Sequence, residues 1–292
     1  MKKKLGIIGG SGLYEIDVSA ESEWETVDTP WGKPSDKIYN LKINNKDVCF
    51  IPRHGRGHTI SPSNINYRAN IDALKQKDVT DIISISAVGS FKEELPPGKF
   101  ILVDQFIDST FARSKTFFDD EIVAHVPMAH PTSADLRKLC SFSLDKLNID
   151  YQDGGTYLAM EGPQFSTKAE SMMHKSMGID VIGMTNMPEA KLAREAEIRY
   201  CTVAMVTDFD CWHLQHDNVD IDMIIKVLSE NTDKAKNMIK DIILNFDFEV
   251  DENDDTHRCL DTAIITHPDM MTKETKEKLK TIAGRVLFKN NN

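Results

Sequence analysis

Two aspartates that follow one apolar run are the residues of this chain best suited to chemistry. Asp208 and Asp210 come directly after 200–206, a β-branched and apolar stretch that predicts a buried strand. Side chains two positions apart in an extended segment face the same way, so the pair can present two carboxylates to one ligand. Three interpretations are open here: solvated turn acids, a magnesium site, or a fork that holds the edge of an amino-purine.

Groups that bind anions follow two other predicted strands. A short strand over 4–8 leads into G-G-S-G at 9–12, where backbone N–H groups suit phosphate, although a tight turn explains the glycines equally well. A hairpin over 37–52 leads into Arg53 and His54 among further glycines. Because Arg offers a fixed fork of donors, we predict a phosphate site here, with a basic surface loop as the alternative.

The elements that position these groups form an α/β pattern. Phe165 follows a Gly-Pro turn, where its ring can meet a flat ligand or belong to the core. Without an internal repeat or a domain break, the prediction is one domain over 1–292, with a helical C-terminal segment from about 257. Further strands are predicted over 81–86, 100–103 and 156–159, and helices over 62–77, 133–147, 168–178, 188–198 and 220–244, while 181–185 is a short apolar run that ends in a polar residue.

Composition excludes several classes of protein. The 292 residues are 40% hydrophobic and 28% charged, which suits a globular protein, and the net charge of −11 argues against a nucleic-acid binder. We expect no membrane contact, since no window approaches a membrane span, and no signal peptide at the Lys2-Lys3-Lys4 start. The five scattered cysteines lack C-x-x-C spacing and predict reduced thiols in a cytoplasmic protein without a zinc site.

Seven segments, in chain order, carry a resemblance to a known family. They are 6–13 (G-I-I-G-G-S-G-L), 52–55 (P-R-H-G), 86–90 (S-A-V-G-S), 104–108 (D-Q-F-I-D), 160–166 (M-E-G-P-Q-F-S), 183–195 (G-M-T-N-M-P-E-A-K-L-A-R-E) and 207–212 (T-D-F-D-C-W). Together they resemble the S-methyl-5′-thioadenosine phosphorylases, a group in the trimeric branch of the purine nucleoside phosphorylases. The resemblance covers nearly the whole chain, and its T-D-F-D-C-W segment separates this group from relatives that take 6-oxopurines.

The resemblance implies a fold and an activity. The fold is a single α/β domain, a twisted mixed β-sheet, partly barrel-like, flanked by α-helices, and it assembles as a homotrimer. The activity is phosphorolysis of S-methyl-5′-thioadenosine in purine and methionine salvage, with inorganic phosphate as co-substrate and no cofactor or metal. The alternatives are another purine nucleoside phosphorylase, acting on adenosine or methylthioinosine, a non-catalytic nucleoside-binding protein, and a magnesium phosphatase that uses the aspartate pair.

The resemblance also implies a role for individual residues. The phosphate site would consist of Ser11, Arg53, His54, Ser86, Ala87 and Thr185. The residues that would contact the nucleoside are Met184 at the ribose, Phe165 and Ser166 at the base, Asp208 at N7, Asp210 at the 6-amino group, Ile221, Ile224 and Ile225 at the methylthio group, and His125 from a neighbouring subunit.

The chemistry of the aspartate pair fits this activity independently. An adenine anion is a poor leaving group, so a proton or hydrogen bond at N7 helps the glycosidic bond to break. Two neighbouring carboxylates repel each other, and one of them therefore holds a proton more readily than an exposed aspartate. We expect Asp208 to be the general acid and Asp210 to hold the amino group.

Overall fold

Eleven strands form one mixed sheet within the part of the chain that the structure describes. The computed structural model describes residues 3–13, 22–44, 46–213, 221–246 and 255–288, with the backbone alone for 221–223. The strands are β1 (Leu5–Gly9), β2 (Ser22–Glu25), β3 (Ile38–Ile43), β4 (Lys46–Pro52), β5 (Asp81–Ser90), β6 (Phe100–Val103), β7 (Gln105–Asp108), β8 (Tyr151–Asp153), β9 (Thr156–Ala159), β10 (Val181–Gly183) and β11 (Arg199–Asp208).

Strand β5 is the centre of this sheet. The strand order is β2-β3-β4-β1-β5-β10-β9-β7, and β11 pairs with both β5 and β6, which in turn pairs with β8. Strands β4, β1, β5 and β11 are mutually parallel, so their carboxyl ends meet at one edge. Strand β10 pairs antiparallel with the last residues of β5. The mixed sheet and its flanking helices confirm the predicted α/β class.

Helices cover both faces of the sheet. Consecutive strand residues point to opposite faces, and Ile7 and Ile8 of β1 accordingly belong to two different cores. One core packs under α1, α4 and α7, and the other under α2 and α5. The helices are α1 (Tyr67–Gln76), α2 (Ala134–Lys146), α3 (Lys168–Ser176), α4 (Glu189–Glu195), α5 (Ile221–Asn245), α6 (Lys273–Lys278) and α7 (Lys280–Leu287). None of these described helices is long and apolar enough to cross a membrane.

Tertiary pairing extends one strand beyond its predicted end. The sequence predicts a strand over 81–86, but β5 continues to Ser90 because β11 and β10 supply hydrogen-bond partners for its second half. Gly89, a poor strand former, is accepted there because Asp208 packs close: an added Cβ would lie 3.0 Å from its Oδ2 atom. The short strands β2, β7 and β8 were not predicted, and each obtains its hydrogen bonds from a distant neighbour.

Candidate active site

A cavity of about 310 Å³ opens at the carboxyl ends of the parallel strands. Ligands of open α/β sheets bind in this position, because the loops that leave the strands converge there. The predicted site residues that line the cavity are Ser11, Arg53, His54, Ser86, Ala87, Phe165, Met184, Thr185, Asp208, Asp210 and Ile224. Side chains from strand ends far apart in the sequence are thus brought together around one volume.

The loop after β1 lies against the floor of the cavity. Gly10 and Ser11 line the cavity. A Cβ added at Gly10 would stand 2.5 Å from the carbonyl oxygen of Ile85 and 3.1 Å from Nη1 of Arg53. The glycine is therefore required by the close approach of β5 and Arg53, and the loop backbone can reach a ligand held between them.

Arg53 is fully buried, and its donor fork is directed to a protein carboxylate. Its Nε and Nη2 atoms donate to Glu189 at 2.7 and 3.0 Å, Nη2 also donates to Ser84, and Nη1 donates to the carbonyl oxygen of Ile85 at 2.9 Å. The expectation that this fork faces phosphate is wrong, because Glu189, which is 1% exposed, occupies it. Nη1, which lies near Gly10, has two N–H groups and makes one hydrogen bond among the described residues, to Ile85.

His54 follows Arg53 and is 4% exposed. Its Nδ1 atom lies 2.8 Å from the carbonyl oxygen of Ile60. Burial, reinforced by the positive charge of Arg53, lowers the pKa of His54 to about 4. The ring of His58 stacks on it, with centroids 4.1 Å apart. The imidazole is therefore neutral at physiological pH.

A network of buried side-chain hydroxyl and amide groups connects one end of the cavity to the ion pair of Arg53 and Glu189. The hydroxyl oxygen of Ser86 lies 3.1 Å from those of Tyr157 and Thr185. Thr185 in turn donates to Asn186, whose amide donates to Ser84 at 3.0 Å. Because hydroxyl hydrogens rotate, Ser86 and Thr185 can redirect a donor to an anion in the cavity. The network holds both hydroxyls at fixed positions before a ligand arrives.

The aspartate pair stands at the other end of the cavity. Asp208 is the last residue of β11, and its carboxylate accepts from the Thr207 hydroxyl at 2.7 Å and from the Asp210 N–H at 3.0 Å. Asp210 begins a 3-10 turn with a φ of 42°, so the expected extended geometry is wrong beyond Asp208. The turn nevertheless brings the second carboxylate to the same cavity.

The two carboxyl groups differ in their environments. Burial raises the pKa of Asp208 to about 6, the Thr207 hydroxyl and the Asp210 N–H oppose that rise, and the charge of Asp210 adds to it. Burial also raises the pKa of Asp210 above its ordinary value. Oδ2 of Asp210 is buried without a hydrogen-bond partner among the described residues. An acceptor in this state is suited to an N–H donor of a ligand.

Apolar side chains line the remaining walls. Phe165 is 56% exposed, so its ring is available to a ligand, while Ser166 is not part of the lining and contributes a carbonyl oxygen that accepts from the Cys211 thiol. Ile224 and Leu228, one helical turn apart on α5, both face the cavity.

Besides Ser166, two predicted site residues, Ile225 and His125, do not line this cavity in the described structure. Ile225 is 57% exposed and points away from the lining, because it lies about 100° around the helix from Ile224. The side chain of Ile221 lies outside the described residues. His125 is exposed at the surface, where its backbone N–H donates to the carbonyl oxygen of Ala263.

The family of this chain follows from its sequence over most of its length. A model of the phosphorylase superfamily matches residues 4–244. The chain belongs to the phosphorylase superfamily. It is 56% identical to an S-methyl-5′-thioadenosine phosphorylase of Rhodospirillum rubrum, over 97% of each chain. It is also 54% identical to one of Bradyrhizobium diazoefficiens, over 97% of this chain and 98% of that one.

Solved structures of the superfamily share the fold. A methylthioadenosine phosphorylase from an antarctic soil metagenomic library has a TM-score of 0.89 and 44% identity, covering 96% of this chain and 98% of that one. A Schistosoma mansoni methylthioadenosine phosphorylase in complex with adenine has a TM-score of 0.80 and 34% identity, covering 84% and 91%. The architecture of this superfamily member is therefore that of nucleoside phosphorylases.

Some residues of the cavity were not predicted as site residues. His58 lies in the same basic segment as Arg53 and was within reach of sequence reasoning, and so was Leu228, which shares its helix face with Ile224. Glu189 does not line the cavity but holds Arg53, and it gave no such signal, since it pairs with Arg53 across 136 positions of the chain. The ion pair was recognisable only from the fold, which brings the first residue of α4 to the residue that follows β4.

Proposed function

We propose that this chain catalyses phosphorolysis of S-methyl-5′-thioadenosine to adenine and S-methyl-5-thio-D-ribose 1-phosphate. The observation that carries the proposal is the unpartnered Oδ2 of Asp210 beside Asp208 in one cavity with the phosphate-binding loop. A buried carboxylate oxygen accepts from a 6-amino group but not from a 6-oxo group. The high identity to S-methyl-5′-thioadenosine phosphorylases over nearly the full chain supports the same substrate.

The arrangement suits each part of the reaction. Phosphate bound near Gly10, Arg53 and the hydroxyls of Ser86 and Thr185 attacks the anomeric carbon, and its negative charge stabilises the cationic sugar in the transition state. Asp208, whose pKa burial raises to about 6, keeps a protonated fraction near neutral pH and shares that proton with N7 of the departing adenine. Phosphate is a co-substrate, and the reaction requires no cofactor.

The 5′ end of the nucleoside would lie against α5. Ile224 and Leu228 offer an apolar wall that suits a methylthio group better than a hydroxyl group. We propose that Ile221 extends this wall and that His125 of a neighbouring subunit completes it in a homotrimer. We further propose that residues 1–292 form one domain with a helical C-terminal segment, and that the enzyme is cytoplasmic.

The central experiment measures adenine release from S-methyl-5′-thioadenosine by purified protein, with and without inorganic phosphate. We expect release only with phosphate, and no change when a chelator is added. Hydrolysis without phosphate, or activity that follows added magnesium, would favour a nucleosidase or a phosphatase. Binding without release would favour a nucleoside-binding protein.

The Asp208→Asn variant tests the base assignment. The amide keeps the size of the side chain but cannot transfer a proton, so we expect a loss of about 10²–10⁴ in kcat with methylthioadenosine. Because the amide can donate to a 6-oxo group, methylthioinosine should lose less or gain. An Asn variant that retains full activity on methylthioadenosine contradicts the role of Asp208.

A further inference from the structure

The hydrogen bond of His54 determines which of its ring nitrogens carries a proton. Nδ1 lies 2.8 Å from the carbonyl oxygen of Ile60, and a carbonyl oxygen can only accept. Nδ1 must therefore be the donor. The second nitrogen, Nε2, is left for a ligand of the cavity that His54 lines. Whether Nε2 donates or accepts depends on whether the ring is charged.

The surroundings of His54 keep the ring neutral. Burial lowers its pKa to about 4, and the neighbouring Arg53 and His58 act in the same direction. Burial also lowers the pKa of the stacked His58 ring, which favours its neutral form. With the proton on Nδ1, Nε2 carries a lone pair. It presents an acceptor to the cavity at the end where an anion is expected.

Net positive charge does not dominate anion binding in this cavity. Among the described residues that line the cavity, Arg53 is the only one that is a lysine or an arginine. Glu189, 2.7 Å away, balances its positive charge. A dianion must then be held mainly by individual donors: backbone N–H groups near Gly10, the remaining N–H of Arg53, and hydroxyls. In such a site, the pattern of donors and acceptors decides which anion fits.

We propose that Nε2 of His54 accepts a hydrogen bond from the P–OH group of hydrogenphosphate, and that this contact selects hydrogenphosphate over sulfate. The inference rests on the proposed phosphorolysis, since it concerns the anion of that reaction. Hydrogenphosphate retains one proton at neutral pH, whereas sulfate has none. A sulfate oxygen in this position would face the lone pair of Nε2, and two acceptors repel each other.

The same contact orients the nucleophile. The oxygen that holds the proton faces His54, so unprotonated oxygens face the sugar. In the reaction, the bond from the anomeric carbon to N9 breaks and a bond from that carbon to a phosphate oxygen forms. Asp208 gives a proton to adenine and regains one from water. The sugar phosphate leaves as its hydrogen ester and loses its proton to water, which balances the exchange.

Calorimetric titration with phosphate, arsenate and sulfate at pH 7.5 tests the contact without requiring turnover. We expect phosphate and arsenate, which both carry an O–H, to bind about tenfold or more tightly than sulfate. The His54→Asn variant keeps an amide N–H that can donate to the carbonyl oxygen of Ile60, but its side chain is too short to place an acceptor where Nε2 lies. It should lower the ratio of phosphate to sulfate affinity toward one.

A matched variant separates this effect from a general loss of anion binding. Ser86→Ala removes a hydroxyl donor that serves either anion, so it should weaken both and leave their ratio unchanged. Thermal unfolding checks that both variants fold. Equal binding of sulfate and phosphate by the unaltered protein overturns the proposal, as does an unchanged ratio in the Asn variant or the absence of any anion binding. Selective anion binding without cleavage of methylthioadenosine would instead overturn the proposed function alone.

Discussion

Substitution of Arg53 should lower the stability of the fold more than substitution of a residue whose only role is to bind phosphate. Arg53→Ala leaves Glu189 buried and deprived of its charge partner, and breaking a buried ion pair costs about 3–5 kcal/mol. For 292 residues the unfolding entropy is about 0.6 kcal/mol/K, so Tm should fall by about 5–8 °C. The hydroxyls of Ser84 and Tyr200, which donate to Glu189 at 2.7 and 2.8 Å, moderate the loss.

The loss of phosphate affinity in Arg53→Ala should be smaller than for an arginine that directs its whole guanidinium group to phosphate. One N–H of Arg53 is left for the anion, and a hydrogen bond to a charged group contributes about 1.5–3 kcal/mol. The KM for phosphate should then rise about 10- to 150-fold. Steady-state assays with varied phosphate, combined with thermal unfolding, measure both quantities on the same protein.

Two further variants serve as controls for Arg53→Ala. Arg56→Ala breaks a surface pair with Asp36, in which the Arg56 side chain is 44% exposed, and should lower Tm by less than about 2 °C. The double variant Arg53→Met with Glu189→Gln removes both charges and should recover stability without recovering phosphate affinity. A Tm for Arg53→Ala equal to that of Arg56→Ala, or a phosphate KM unchanged from the parent protein, refutes the account.

Three further predictions concern packing, specificity and pH. Gly183→Ala places a Cβ 2.0 Å from the hydroxyl oxygen of buried Tyr157 and should abolish folding, so that a thermal melt shows no cooperative transition. Gly284→Ala in α7, where the nearest atoms would lie 3.7 Å from the added Cβ, should be neutral or stabilise the fold by up to about 1 kcal/mol. Leu228→Ala should reduce the preference for methylthioadenosine over adenosine in kcat/KM about tenfold, and Ile225→Ala should not. Burial raises the pKa of Asp208 from 3.8 to about 6, so ionisation of this carboxyl group destabilises the fold increasingly as the pH rises to about 6. The free energy of unfolding of Asp208→Asn, relative to that of the parent protein, should therefore increase by about 1.4 kcal/mol between pH 5 and pH 8. Denaturant melts measure this difference, and a difference that does not change with pH contradicts the prediction.

The sequence by itself determined the order of elements and the chemistry of the strand ends. Apolar runs with flanking glycines predicted most of the parallel strands correctly, because a strand covered on both faces must be apolar throughout. The rule that ligands meet the carboxyl ends of such strands then grouped Ser11, Arg53 and Asp208 into one site. The joint occurrence of seven short motifs in chain order indicated the family from the sequence alone.

Tertiary structure decided how those residues are used. The spacing of Asp208 and Asp210 suggested one extended face, but a 3-10 turn places the second carboxylate. The fork of Arg53 is taken by Glu189, 136 positions away, and no local pattern encodes that pairing. The tautomer of His54 depends on a carbonyl oxygen in the following loop. Residue type sets what a group can donate or accept, and long-range packing sets the partner and the solvent exclusion that decide what remains available to a ligand.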